Sequence, residues 1–124
     1  IMADPSRMLF LPRDLREMQS ILIRCFQKKK GVDGVVVSED LCAVAALKAA
    51  LEAGLSIPEE MDIVGYNNSL LSLCTTPELT TVDNQVELLA GTAAGQLIKR
   101  LRGEEIPWQM LIPYEIIVRD SARL

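Results

Sequence analysis

Histidine is absent from the 124 residues, so Ser-His-Asp and Cys-His nucleophilic chemistry is excluded within the chain. The three cysteines stand far apart, at Cys25, Cys42 and Cys74, with no C-x-x-C pair. That spacing offers no zinc site, and lone thiols among apolar neighbours suit core packing in a reducing compartment, the cytoplasm. A basic excess is also missing. Thirteen Lys and Arg against seventeen Asp and Glu leave a net charge of −4, which lacks the footprint that grips nucleic acid. The only basic run, Lys28 to Lys30, ends a predicted helix, where cations complement the helix dipole. There is no apolar stretch long enough to span a membrane, no segment resembling a signal peptide, and no glycine-rich phosphate loop.

What is present is apolar and ordered. Hydrophobic residues make up 49%, enough for one domain with a real core. The centre of the pattern lies between Gly34 and Gly54. Val35 to Val37 reads as a short strand buried on both faces, as in a parallel sheet. Leu41 to Ala53 reads as a helix that stops at Gly54. Ser38, Glu39 and Asp40 fill the turn between them. Polar groups there either cap the helix or face the crevice beyond the carboxyl ends of the strands, where open α/β sheets bind ligands.

The rest repeats the theme. Arg7 to Leu11 reads as a strand and Arg13 to Lys30 as an amphipathic helix closed by Gly31. Met61 to Tyr66 reads as a further strand, giving βαβαβ with short parallel crossovers. Asn67-Asn68 then sets a second polar pair at a strand tip; the alternative is an ordinary Asn turn. Two strand ends carrying polar groups to one crevice exceed what capping requires. Leu70 to Cys74 suits a short helical turn, and Thr75 to Val82 an extended segment. Asn84 to Arg102 is the longest helical pattern, with Val86, Leu89, Leu97, Ile98 and Leu101 on its apolar face and Gly103 as its stop. Met110 to Ile112 and Tyr114 to Val118 read as strands split by Pro113, and Arg119 to Leu124 as a polar tail.

Taken in order, four stretches resemble the effector-binding domain of lactose-repressor-type (LacI/GalR) bacterial transcription regulators. They are Ser38 to Leu47, Gly54 to Asn68, Thr76 to Val82, and Leu101 to Glu104. The resemblance implies a three-layer α/β fold with a parallel sheet and flanking helices, one lobe of a periplasmic-binding-protein-like architecture. It implies that residues 1–76 form the lobe core and 77–83 a hinge-like crossover. The helix 84–103 would pack on a lobe whose sequence is absent here, and strands in 108–119 would return. The chain, which begins at Ile1, is then expected to be a piece of something longer. Without its usual partner, the stripe from Val86 to Leu101 is expected to fold back on its own lobe or to pack into a second copy.

The resemblance also carries over a site. Ser38, Glu39, Asp40, Asn67 and Asn68 would contact a small polar effector, a sugar or related metabolite. Where the family pattern is Gly-Phe/Tyr-Asp-Asp, Gly65 to Asn68 has two amides in place of two acids, while Glu39 adds a carboxylate. Val44, Lys48, Leu73, Cys74 and Thr75 would line a homodimer interface; Val44 and Leu73 as internal core is the alternative. Operator DNA would be reached only through a helix-turn-helix outside this chain. No cofactor and no metal are expected. A transport-type solute-binding protein is the runner-up. An enzyme working through Glu39 and Asp40 is the reading from a different class, disfavoured because Asp62 starts its strand away from the crevice.

Overall fold

The computed structural model describes residues 5–28 and 32–123. Helix α1 spans Leu15–Lys28, strand β1 Gly34–Val36, helix α2 Asp40–Glu52 and strand β2 Asp62–Tyr66. Strand β3 is Thr80–Asp83, helix α3 Val86–Leu101 and strand β4 Glu115–Ile117, with a 3-10 turn at Leu70–Leu73. The sheet order is β1-β2-β3-β4; β1, β2 and β3 run parallel, and β4 is antiparallel at the edge beside β3.

The core forms where α1 and α2 pack on each other and α2 lies on β2. Helix α2 is rich in alanine, and Ala43, Ala46, Ala49 and Ala50 are wholly buried. Side chains this small let the helix be covered on both sides, by the sheet and its approach (Ile63 in β2, Leu79 just before β3) and by α1 (Met18, Leu22). Its apolar residues therefore encircle it rather than forming one stripe. Helix and sheet layers match the α/β class; among the described residues no helix packs extensively on the opposite sheet face.

Several expectations are corrected. Arg7 to Leu11 does not form a strand: Pro5–Arg7 is a 3-10 turn and Met8 to Leu11 is irregular. Strand β1 is therefore an edge, and Val36 is 78% exposed rather than buried on both faces. Lys29, Lys30 and Gly31, the expected end of the first long helix, lie outside the described residues. Of the two late strands, only Glu115–Ile117 pairs; Met110 to Ile112 does not.

The polar tail is not a loose end. Ser121 is fully buried: its hydroxyl donates to the Ile63 carbonyl at 2.6 Å and accepts from the Thr80 amide at 2.8 Å. Its own carbonyl accepts from the Ile63 amide at 2.7 Å. The segment thus satisfies backbone groups that β2 and β3 would otherwise bury unpaired. Arg123 closes over Asp62, with Nη2 to Oδ2 at 2.9 Å. This pair holds the Asp62 carboxyl below its ordinary range, chiefly through the Arg123 side-chain hydrogen bond.

Helix α3 does not fold back. None of its residues is buried, and Val86, Leu97, Ile98 and Leu101 are half or more exposed.

Candidate functional site

Because β1 and β2 are parallel and paired from Gly34 with Asp62 to Val36 with Val64, their carboxyl ends reach the same edge of the sheet. The Val37 amide extends the ladder to the Val64 carbonyl at 3.0 Å. Ser38 and Glu39 then leave one strand beside Tyr66 and Asn67 leaving the other, as the sequence predicts.

Glu39 is the N-cap residue of α2, yet its side chain makes no cap hydrogen bond. Its Oε1 accepts from the Cys42 thiol at 3.4 Å instead, and Glu39 is exposed. Burial raises the Cys42 thiol pKa, and the hydrogen bond and negative charge of Glu39 add to that rise. The capping alternative therefore does not hold for the Glu39 side chain.

Asp40 behaves differently. It is 1% exposed and turns inward. Its Oδ2 accepts from the Ser69 amide at 2.6 Å, and its Oδ1 accepts from the Thr81 hydroxyl at 2.6 Å. One carboxylate thus ties the start of α2 to the segment after β2 and to β3. Gly65 lies against it so closely that an added Cβ would overlap Asp40 Oδ1. Asp40, expected at the ligand rim, is thus buried with both its oxygens on neighbours within the chain.

The two amides also separate. Asn67 is exposed, at φ 104°, a left-handed conformation that Asn tolerates better than most residues. Its Oδ1 accepts from Asn84 Nδ2 at 3.1 Å. Asn68 is half-buried; its Oδ1 accepts from Arg119 Nη2 at 2.7 Å and its Nδ2 donates to Asp83 Oδ2 at 3.0 Å. Arg119 Nη1 also donates to Ser72 Oγ and to the Leu79 carbonyl, at 3.1 and 2.7 Å. Sequence reasoning missed Thr81, Asp83 and Arg119. Two adjacent threonines in an extended run were the available signal, since hydroxyls that become buried in a sheet demand partners.

The other predicted surface lies along α2 and the end of the 3-10 turn Leu70–Leu73. Lys48 and Cys74 are exposed, Leu73 is 51% exposed, and Val44 and Thr75 are half-buried. Neither Val44 nor Leu73 is internal core. Leu70, Leu71 and Leu41 are also exposed. Among the described residues no group of three or more metal-ligating side chains occurs, and no helix is long and apolar enough to cross a membrane.

A sequence profile described as "Periplasmic binding protein-like domain" matches residues 4–122. An HTH-type transcriptional regulator of Lachnoclostridium phytofermentans is 36% identical over 118 residues, 95% of this chain and 35% of that protein. The chain thus spans about a third of that relative's length. The lactose operon repressor of Rhizobium radiobacter is 34% identical over 91 residues, 73% of this chain and 80% of that protein. Among solved structures, transcription regulator CcpA of Lactococcus lactis aligns with TM-score 0.77 at 28% identity, covering 90% of this chain and 41% of that one. The complex of transcriptional regulator CelR with cellobiose aligns with TM-score 0.83 at 24% identity, covering 98% and 37%, and supports the fold alone. These relatives are regulators and repressors, not enzymes. The chain belongs to the periplasmic binding protein-like family, in the form carried by LacI-type transcriptional regulators.

Proposed function

We propose that this chain is part of the effector-sensing and dimerisation module of a bacterial transcription repressor. It supplies one wall of a crevice for a small polar metabolite or sugar. Closure of that crevice shifts the DNA affinity of a helix-turn-helix carried elsewhere in the protein, which is coupling by differential affinity.

The observation that carries the reading is the shared rim: exposed Glu39 and exposed Asn67 leave neighbouring parallel strands at the same end, with Ser38 beside them. A carboxylate accepts from two hydroxyls and an amide both donates and accepts, the pairing that vicinal hydroxyls need. Asp40 and Asn68 stand behind this wall as its supports. The opposite wall belongs to a second lobe, reached through the crossover at 77–83 and left again through 108–119. The bare apolar stripe of α3 supports this division, since a stripe of exposed large aliphatic side chains calls for a cover. The exposed leucines at 41, 70, 71 and 73, with Val44, Lys48, Cys74 and Thr75, suit a self-complementary homodimer contact. The regulator relatives favour this over a transport-type binding protein.

The test is a thermal-shift screen of sugars and related metabolites on the full-length protein, followed by titration of the best ligand. Glu39→Ala and Asn67→Gly, the latter keeping the positive φ at that position, are each expected to weaken binding at least tenfold at near-native stability, the scale of a lost hydrogen bond to a charged or buried group. Unchanged affinity in both variants would overturn the assignment of the wall.

A further inference from the structure

We propose that Asn68 is a positioning residue that sets the direction in which the chain leaves this lobe, and that the position requires an amide because Asp83 faces it. The inference rests on the geometry of the lobe and stands whether or not Glu39 and Asn67 bind an effector.

The chain departs along β3, which ends at Asp83, and returns along β4, two residues before Arg119. The side chain of Asn68 spans both connections. Its carbonyl oxygen meets the cation on the returning side and its NH2 meets the carboxylate on the departing side. Each end of the amide thus faces the charge that suits its own polarity. The backbone is tied as well, through the Asn68 amide to Thr81 Oγ1 at 3.3 Å. Beyond Asp83 the chain turns sharply. Gln85, the N-cap residue of α3, sits at φ 50° in the left-handed region, and its amide donates to Asp83 Oδ1 at 2.7 Å. Asp83 therefore has one oxygen on Asn68 and the other on the residue that aims α3. A strained, non-glycine left-handed turn persists only when its surroundings over-determine it. Here the over-determination runs from Arg119 through Asn68 and Asp83 to Gln85. A carboxylate at position 68 would keep Arg119 but set two like charges about 3 Å apart across the departing strand.

The charged groups around this point are Arg119 after β4, Asp83 at the end of β3, Glu115 opposite Asp83 in register on β4, Asp40 acting through Thr81 and Ser69, Glu78 at 3.9 Å from Arg119, and Glu87 in the first turn of α3. Only Arg119 is cationic.

The experiment is amide hydrogen exchange on the full-length protein, comparing wild type, N68A, N68D and the reciprocal variant N68D/D83N. The amides of Gln85, bonded to Asp83 Oδ1, and Leu89, bonded to the Gln85 carbonyl, are followed against those of Ile63 and Val64, which report global opening. At pH 7 both N68A and N68D are expected to speed exchange at Gln85 and Leu89 about tenfold relative to the reference amides. N68D/D83N restores an amide-to-carboxylate bridge with its polarity reversed, and is expected to return to within about threefold of wild type. As the pH is lowered towards about 4.5, the N68D excess over wild type is expected to shrink, because one carboxyl takes a proton and donates it to the other. N68A shows no such recovery. If N68D fails to fold, recovery of the fold in N68D/D83N supports the proposal. Equal acceleration at all amides, an N68D profile that follows N68A at every pH, or no rescue by N68D/D83N would overturn it.

Discussion

Replacing Asp40 separates a structural carboxylate from a ligand-binding one. In Asp40→Ala the Thr81 hydroxyl, fully buried, and the Ser69 amide both lose their acceptor. Each orphaned buried donor costs about 1–3 kcal/mol. Relief from burying a carboxylate offsets part of that cost, which leaves a loss of about 2–4 kcal/mol. A domain of this size is stable by about 5–15 kcal/mol, so the loss is a large share. With a urea slope of about 2 kcal/mol/M, the middle of the usual range, the midpoint falls by about 1–2 M. Asp40→Asn should fall less, about 1–2 kcal/mol, because the amide retains one acceptor and the Thr81 hydroxyl can rotate to accept from its NH2. The assay is urea unfolding followed by circular dichroism, with ligand titration on the full-length protein alongside. A midpoint shift under about 0.3 M in Asp40→Ala would refute the reasoning. So would a loss of effector affinity with stability untouched, because Asp40 would then be acting on the ligand directly.

Three further outcomes follow from the same geometry. Gly65→Ala drives a methyl group into Asp40 Oδ1 and to 2.9 Å from Leu79 Cδ2, so it should cost about 1–3 kcal/mol of stability in urea unfolding. Cys42, its thiol pKa raised by burial and by Glu39, should react with a disulfide reagent at pH 8 more slowly than exposed Cys74; Glu39→Gln should speed Cys42 and leave Cys74 unchanged, measured by mass spectrometry of the labelled peptides. For Asp62, the folded carboxyl is held below its unfolded value by Arg123. Its stabilisation is present above the ordinary carboxylate pKa of about 3.9 and is lost as pH falls through the lower folded value, so Asp62→Asn should flatten melting temperature against pH in that acid limb and nowhere near neutrality.

Much of the lobe was legible because its elements are local. The alternation of β-branched runs with alanine-rich and leucine-rich helices locates β1, α2, β2 and α3 to within a few residues. Glycines and polar turns mark where each stops. What was illegible depends on contacts distant in sequence. Arg119 and Ser121 read as part of a polar tail because nothing local shows that β2 and β3 need their hydrogen bonds. Met8 to Leu11 has strand-like composition, but strand formation needs a paired edge, and composition cannot say whether one is reached. The site divided along the same line. The shared rim of Glu39 and Asn67 followed from parallel strand order, which the pattern supplies. The inward turn of Asp40 and the bridging by Asn68 did not, since adjacent polar residues at a helix start or strand tip look alike until burial tells them apart.

The side-by-side placement of β3 and β4 makes everything between them detachable. Asp83 faces Glu115 in register across an antiparallel ladder, so residues 84–114 are an excursion that begins and ends at one point on the lobe. A two-residue Asn-Gly hairpin turn could close that gap without moving either strand. The shortened chain would shed α3 with its bare apolar stripe and keep the Ser121, Arg119 and Arg123 anchors. It would be a self-contained miniature of the lobe, and its junction would equally accept a foreign domain, since two adjacent strand ends are what an insertion needs.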